Sequence, residues 1–469
     1  MTMLISEWYA MKTKHISQFD KMTKTPVSRL VVALSVPTII SMLVTNIYNL
    51  VDTAFVGRLG NSASGAVGIV FGFMSVLQAV GFMFGNGSGS IISRLLGAKD
   101  GAQASKVAST GFFSSLAFGA VLSVFCAFVL DPLVMFLGST ETIAPFAQTY
   151  ISYILIAAPF ITASFTMNNI LRYEGKAALG MIGLAVGAAL NIAGDPILMF
   201  GFGMGIAGAG LSTCISQIIG FFVLLAMFLL GKTQCKLSVK LISLKSLPDI
   251  IATGLPSLLR QGLNSLSTVV LNNCASEFGD PAVAAMSIVS RVIFFTFSFA
   301  LGIGQGFQPV CGFNYGAKKF DRLKAAFRFT VLLSEIIIAV MSVGLLLFPG
   351  EIIRVFRDDS AVVEIGTRAL ILQAIAQIFL PFCMVTEMAL QSAGKKIGAS
   401  LLSILRNGLF FIPLLLIMSN VRGLAGIQEA QPISTVISVI PSVILAVKFF
   451  KELPESGKVE TSADKAETG

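Results

Sequence analysis

Charge is the scarcest property of this 469-residue chain: Asp, Glu, Lys and Arg make up 12 % of it, about half the share of a water-soluble domain. With 55 % hydrophobic residues and a mean hydropathy of +0.85, that scarcity excludes a soluble globular fold and leaves a lipid bilayer as the solvent. Histidine is nearly missing too. His15 is the one histidine, and the chain holds no H-E-x-x-H, nucleophile elbow or metal-ligand cluster, which argues against an intramembrane enzyme. Cysteine is sparse: six residues, none at C-x-x-C spacing and all but Cys235 within or beside apolar runs, which reads as packing. The first twenty residues lack an apolar core before a small-residue cleavage site, so no secretory signal peptide is expected, and the first apolar run is read as the membrane-targeting signal.

The chain is rich in apolar runs of about 20 residues or more, each long enough to cross a hydrocarbon core of about 30 Å. Twelve are expected, near 30–57, 64–93, 107–130, 143–170, 178–201, 206–230, 249–276, 284–313, 327–348, 361–390, 397–418 and 424–450. The fold class is therefore an all-α polytopic membrane protein. Its net charge of +9 could signal nucleic acid, but the basic residues fall on alternate loops. Lys99 and Lys106 follow the second run, Arg172 and Lys176 the fourth, and Lys232, Lys236, Lys240 and Lys245 the sixth, whereas the intervening loops carry Asp131, Glu141, Glu277, Asp280, Asp358 and Asp359. The positive-inside rule then places both termini in the cytoplasm, and nucleic acid is not expected as a partner.

A shift of 219 residues lays one half of the chain on the other without a gap. Pro37 falls on Pro256, Gly60 on Gly279, Gly97-Ala98-Lys99 on Gly316-Ala317-Lys318, and Gly175-Lys176 on Gly394-Lys395. Six crossings per half is an even number, so the two six-helix bundles are a parallel repeat with a cavity between them, and alternating access by rocking follows as the mechanism. The expected organisation is a cytoplasmic extension at 1–26, a first lobe at 27–230, a cytoplasmic linker at 231–247, a second lobe at 248–450 and a charged cytoplasmic tail at 451–469. The extension to about Thr25 reads as flexible or surface-lying, the tail as charged and disordered, and both as dispensable for transport.

The halves differ where chemistry is expected, because the same shift sets Asp52 on Leu271, Asn191 on Phe410 and Asp195 on Leu414. An ionisable side chain inside a span costs about 2.5–3.5 kcal/mol on insertion scales and so normally faces a cavity. Thr45, Tyr48, Asn49 and Asp52 share one helix face, and Asn191 and Asp195 are four apart on another. Pro196 frees a carbonyl beside that pair, and Thr213 and Gln217 extend the theme on the sixth run. Two carboxylates among amide, hydroxyl and carbonyl oxygens suit a proton or a hard cation such as sodium. Interfacial acids that are merely hydrogen-bonded are the alternative. Asn49, Gln217, Gln261, Asn264, Gln305, Gln373 and Gln377 are candidates for the substrate path, with interhelical hydrogen bonding as the competing explanation. Glu335 and Arg406 have no evident partner, and Arg260 and Arg406 are expected to snorkel. Thirty-eight Phe and eighteen Met suit an adaptable greasy cavity, although most must pack helices or face lipid.

Read together, Leu34-Ser35-Val36-Pro37, Val51 to Gly57, Gly97-Ala98-Lys99, Gly175-Lys176, Leu190-Asn191-Ile192 with Asp195-Pro196, Gly254-Leu255-Pro256 and Gly316-Ala317-Lys318 resemble the multidrug and toxic compound extrusion (MATE) transporters, over Val27 to Phe450. The resemblance implies an antiporter that expels amphipathic, often cationic organic compounds in exchange for protons or sodium, with no other cofactor. It implies a multi-pass monomer of the bacterial cytoplasmic membrane. The family's cation site maps onto Asp52, Asn191, Asp195 and Thr213, with Tyr48 nearby. The family's second-lobe acids are not matched: Asn264 stands where a Glu is expected and Glu387 lies too close to Gly394, so the chain looks closer to DinF-like members, with coupling in the first lobe. A lipid-linked saccharide flippase or a narrow metabolite exporter of the same superfamily is the alternative.

Overall fold

A computed structural model describes residues 17–454; residues 1–16, with His15, and 455–469, with most of the charged tail, lie outside the described residues. Among the described residues there is no strand, and twelve long helices account for the chain. These are α1 (Val27–Gly57), α2 (Asn61–Gly97), α3 (Gly101–Phe128), α4 (Ala144–Tyr173), α5 (Ala177–Gly201), α6 (Gly205–Leu229), α7 (Leu247–Ser276), α8 (Asp280–Gly316), α9 (Phe320–Leu347), α10 (Ser360–Ser392), α11 (Lys396–Arg422) and α12 (Leu424–Lys451). Eleven are both long and apolar enough to cross a membrane. The exception is α7, 30 residues long but carrying Arg260, Gln261, Asn264 and Thr268 along its middle.

The duplication is visible in backbone detail. Short helices Leu130–Phe136 and Pro349–Phe356 occupy the same place in each half. Lys99 and Lys318, repeat partners, both adopt left-handed backbone, with φ of 64° and 56°, a conformation uncommon outside glycine. Gly175 and Gly394 match likewise at 78° and 80°.

The two lobes meet in the half of the bundle nearest the 231–246 linker. Here α2 packs on α7 so closely that a Cβ on Gly87 would overlap the Ile250 carbonyl and one on Gly254 would overlap that of Met83. Gly302 and Gly306 of α8 do the same against Ile39 and Ser35 of α1. The last cross-lobe hydrogen bond along this seam, Asn46 Nδ2 to Ser298 Oγ at 3.2 Å, lies near mid-helix. Beyond it Asn264 and Thr268 are exposed, so the lobes separate toward the far end and leave a cleft there.

The linker belongs to the first lobe. Fully buried Glu174 accepts the backbone N–H groups of Gln234 and Cys235 at 2.8 and 2.9 Å. Hydroxyls of Ser105, Ser109 and Thr110 on α3 take the N–H groups of Lys236, Ser238 and Ser243. The described part of the amino-terminal extension is not loose. Gln18–Lys24 is helical, Met22 is fully buried, and the segment straddles both lobes. Gln18 donates to the Glu174 carbonyl of the first lobe, whereas Asn314, Lys319 and Arg322 of the second donate to the carbonyls of Met22, Thr23 and Thr25. The Met22 side chain, seated under the Gly175 turn, adds an apolar anchor to these hydrogen bonds.

Candidate functional site

Four helices of the first lobe bring their polar residues to one point. Asp52 comes from α1, Tyr150 from α4, Asn191 and Asp195 from α5, and Thr213 from α6, all of them buried. The helical spacing of Asn191 and Asp195 lets Asn191 Nδ2 donate to Asp195 Oδ1 at 3.1 Å, and it also reaches Thr213 Oγ1 at 3.1 Å. The Tyr150 hydroxyl donates to Asp52 Oδ2 at 3.2 Å and lies 3.0 Å from Thr213 Oγ1. Since the one Tyr150 proton goes to the carboxylate, Thr213 must donate to Tyr150, and the order runs Asn191 to Thr213 to Tyr150 to Asp52. The Asn191 carbonyl in turn accepts from Ser212 at 3.3 Å, and Pro196 ends the α-helical hydrogen bonding, with a π-helical turn at Ile197–Gly201 following it.

The consequence is a shortage of donors. Every proton in the cluster is used within it, yet Asp52 Oδ1, Asn191 Oδ1 and Asp195 Oδ2 are buried with no protein donor among the described residues. The two carboxyl groups adjoin. Buried acceptors left unpaired are costly, and adjoining carboxylates repel unless a positive charge lies between them. A proton or one hard cation meets both needs.

Tyr48 does not enter these hydrogen bonds; with Thr45, Asn191, Ser216 and Gln217 it lines an adjoining cavity of about 30 Å³, room for one or two waters. Asn49 is half-buried next along α1. The other path candidates are elsewhere. Asn264 is exposed and Gln261 half-buried at the cleft-side stretch of α7, and Gln305 is buried in α8. Gln373 and Gln377 are buried and tied to Gln431 at 2.8 Å and to Ser342 and Thr296 at 2.9 and 2.7 Å, which is the interhelical bonding that competes with the path assignment. Arg260 does not snorkel; it pairs with Glu387 at 2.8 Å inside the second lobe. Arg406 sits on a π-helical turn of α11 with its Nε on Asn407 and its guanidinium 5.9 Å from the Phe297 ring. Arg172, counted with the loop charges, is 3 % exposed at the lobe boundary. All six cysteines are buried and free, Cys235 included.

Sequence reasoning missed Tyr150. The shift that exposed Asp52 sets Tyr150 on Ala369, so the same contrast between a polar residue and an apolar repeat partner marked it.

Twelve membrane-length helices in two duplicated six-helix lobes, joined at one end and cleft at the other, with two adjoining acids left short of donors in the first lobe, define a two-lobed membrane transporter. The MatE family model matches twice, at residues 37–197 and 256–417, one match per lobe. The chain belongs to that family, whose members are transporters and not enzymes. It is 28 % identical over 438 residues to the multidrug export protein MepA of Staphylococcus saprophyticus, covering 93 % of this chain and 96 % of that one. It is 28 % identical over 420 residues to MepA of Staphylococcus aureus strain N315, covering 89 % and 92 %. Among solved structures it is similar to an outward-facing multidrug resistance MATE transporter of the MOP superfamily, with a TM-score of 0.87, 26 % identity and coverage of 95 % and 99 %. It is equally similar, at a TM-score of 0.87 and 26 % identity with 95 % and 99 % coverage, to a MOP superfamily transporter from Pyrococcus furiosus.

Proposed function

We propose that this protein is a cation-coupled antiporter that exports amphipathic, often cationic organic compounds from the bacterial cytoplasm by alternating access of its two lobes. The observation that carries the coupling is the donor-exhausted oxygen set of Asp52, Asn191 and Asp195. A proton or sodium ion entering it is held by Asp52 Oδ1, Asn191 Oδ1 and Asp195 Oδ2, while the protons of Tyr150 and Thr213 are spent on Asp52 Oδ2 and on the Tyr150 oxygen. The set is drawn from α1 and α5, with α4 and α6 tied to it through Tyr150 and Thr213, so filling it changes which arrangement of those helices is stable, and that is how ion binding biases the lobe. The names of the relatives support the substrate class. The excess of Lys and Arg at the linker end supports a cytoplasmic position for it, with the cleft open outward. The working unit is a monomer, since each chain holds both lobes.

The test is ethidium flux in proteoliposomes under a pH gradient and a sodium gradient imposed separately. Flux driven by one of them names the coupling ion; flux driven by neither, in folded protein, refutes the antiporter reading.

A further inference from the structure

Where the lobes touch in the linker half, a buried polar cluster spans the boundary around one cation. Arg172, at the end of α4, donates through Nη2 to Asn86 Oδ1 and Asn169 Oδ1, both at 2.6 Å within its own lobe, and through Nη1 to Gln308 Oε1 of the second lobe at 3.0 Å. Gln308 passes the contact to Gln391 at 3.2 Å. Asn86 Nδ2 crosses to Ser257 Oγ at 2.9 Å, and Ser90 Oγ crosses to the Gln391 carbonyl at 2.7 Å. Among the described residues no carboxylate bonds to Arg172, whose hydrogen bonds all go to amide oxygens and whose guanidinium lies 5.0 Å from the Tyr173 ring centroid.

The repeat shift sets Arg172 on Gln391. The duplication thus brings the two equivalent positions to the same boundary, where a second arginine would face the first across a seam closed by Gly87 and Gly254. One cation and one amide is the combination the site accommodates, and it makes the boundary a matched donor and acceptor set. When the linker end opens, the oxygens of Asn86, Asn169 and Gln308 meet water, and so does the guanidinium; when it closes, each depends on the other lobe or on Arg172.

We propose that Arg172 is the positioning residue that sets the balance between the closed and open states of the linker end, with Gln308 as its partner across the boundary. The assignment rests on the alternating-access reading. Arg172→Met keeps the apolar stem and removes the donors, so three amide oxygens are left unpaired only in the closed state. The open-to-closed ratio rises about tenfold, the worth of about one charge-assisted hydrogen bond. Gln308→Glu acts in the opposite direction by placing a carboxylate on the cation: the closed state is held and turnover slows.

Spin labels on Ala102→Cys and Ala325→Cys, exposed positions near the linker end of each lobe, report the spacing in the full chain, whose own cysteines are all buried. The expected result is a longer distance population in Arg172→Met and a single short one in Gln308→Glu. Should Arg172→Met fail to fold, Gln308→Ala removes the cross-lobe bond and leaves the bonds to Asn86 and Asn169 intact, with the same lengthening expected. Wild-type distributions in these variants, or shifts of the same sign in Gln308→Ala and Gln308→Glu, overturn the assignment. Ethidium flux in the same samples separates the two failures. Unchanged distances beside normal wild-type transport condemn the role of Arg172, whereas a wild type with one fixed distance and no gradient-driven flux condemns the transport reading and this role with it.

Discussion

Replacing Asp52 by Asn changes one oxygen of the buried set into an NH2 group at constant shape. The Tyr150 hydroxyl still finds an acceptor, because the Asn side-chain oxygen takes the place of Oδ2. The new NH2 group then sits where Oδ1 was, in the cluster that also holds Asp195 Oδ2 and Asn191 Oδ1, the two other oxygens that lacked a donor, and the adjoining Asp195 carboxylate accepts from it. On the proposed mechanism the cluster becomes self-sufficient. One negative charge is lost opposite the ion, worth about 4 kcal/mol at 4 Å in a medium of effective dielectric constant about 20, or roughly a thousandfold in ion affinity. Against this, one additional buried hydrogen bond contributes about 1 kcal/mol to the fold. Gradient-driven ethidium efflux is therefore abolished while the thermal unfolding midpoint in detergent stays level or rises. The opposed signs matter, since a residue that merely held helices together would lose both activity and stability. Efflux that retains its ion dependence in Asp52→Asn, or efflux lost together with a lowered midpoint, refutes the reasoning.

Three further outcomes follow from other parts of the molecule. Arg260→Met strands Glu387, 2 % exposed, and costs about 3–5 kcal/mol in stability, whereas Arg260→Met with Glu387→Met recovers most of it; equal losses in the single and double variants argue against the pair. Met22→Ala empties the seat beneath Gly175, at a cost of about 2–5 kcal/mol to the docking of Gln18–Lys24. Trypsin should then cut at Lys21 and Lys24 faster than in the wild type, and equal rates contradict the docking. Burial pushes the Glu174 carboxyl above its ordinary value of 4.5, despite the two linker N–H groups it accepts. An acid raised in the folded state stabilises most below its unfolded value and loses that contribution as pH rises through the folded one. Amide exchange at Gln234 and Cys235, corrected for intrinsic rates, should quicken as pH rises above that range, and Glu174→Gln should flatten the dependence.

The scaffold was legible because bilayers impose long apolar helices and because duplication repeats backbone-setting residues such as Pro37 and Pro256. The acids of the candidate site were legible for a related reason, as polar residues whose repeat partners are Leu or Phe. What stayed hidden depends on which way a side chain faces. Arg172 ends an apolar run and reads as a loop charge until α2, α7 and α8 are seen to close around it. Gln373 and Gln377 show the reverse, since a glutamine facing a cavity and one bonded to the next helix look alike in one dimension. The docking of the Gln18–Lys24 segment was hidden because it rests on one buried methionine and on hydrogen bonds to both lobes, not on an amphipathic pattern.

The same comparison of halves explains why ion coupling is assigned to one lobe although both carry buried charge. The buried or half-buried charged residues Arg260, Glu387 and Arg406 of the second lobe fall on Ser41, Asn168 and Gly187 of the first, so neither lobe's set is repeated in the other. In the second lobe a donor met an acceptor: Arg260 satisfies Glu387 at 2.8 Å without an ion. In the first lobe the set is two acids, an amide and two hydroxyls, whose protons run out before their oxygens do. A self-paired set gives an ion nothing to bind and keeps one arrangement of its helices; a set short of protons has two stable conditions, filled and empty, as a device that couples an ion to a rocking lobe requires. Placing a second acid at Leu271, the repeat partner of Asp52, should accordingly not create a second coupling site, because the partners it would need, at the positions of Asn191 and Asp195, are Phe410 and Leu414. The expected result for Leu271→Asp is a destabilised protein whose remaining efflux shows the same ion stoichiometry as the wild type, and a raised stoichiometry would contradict the one-lobe assignment.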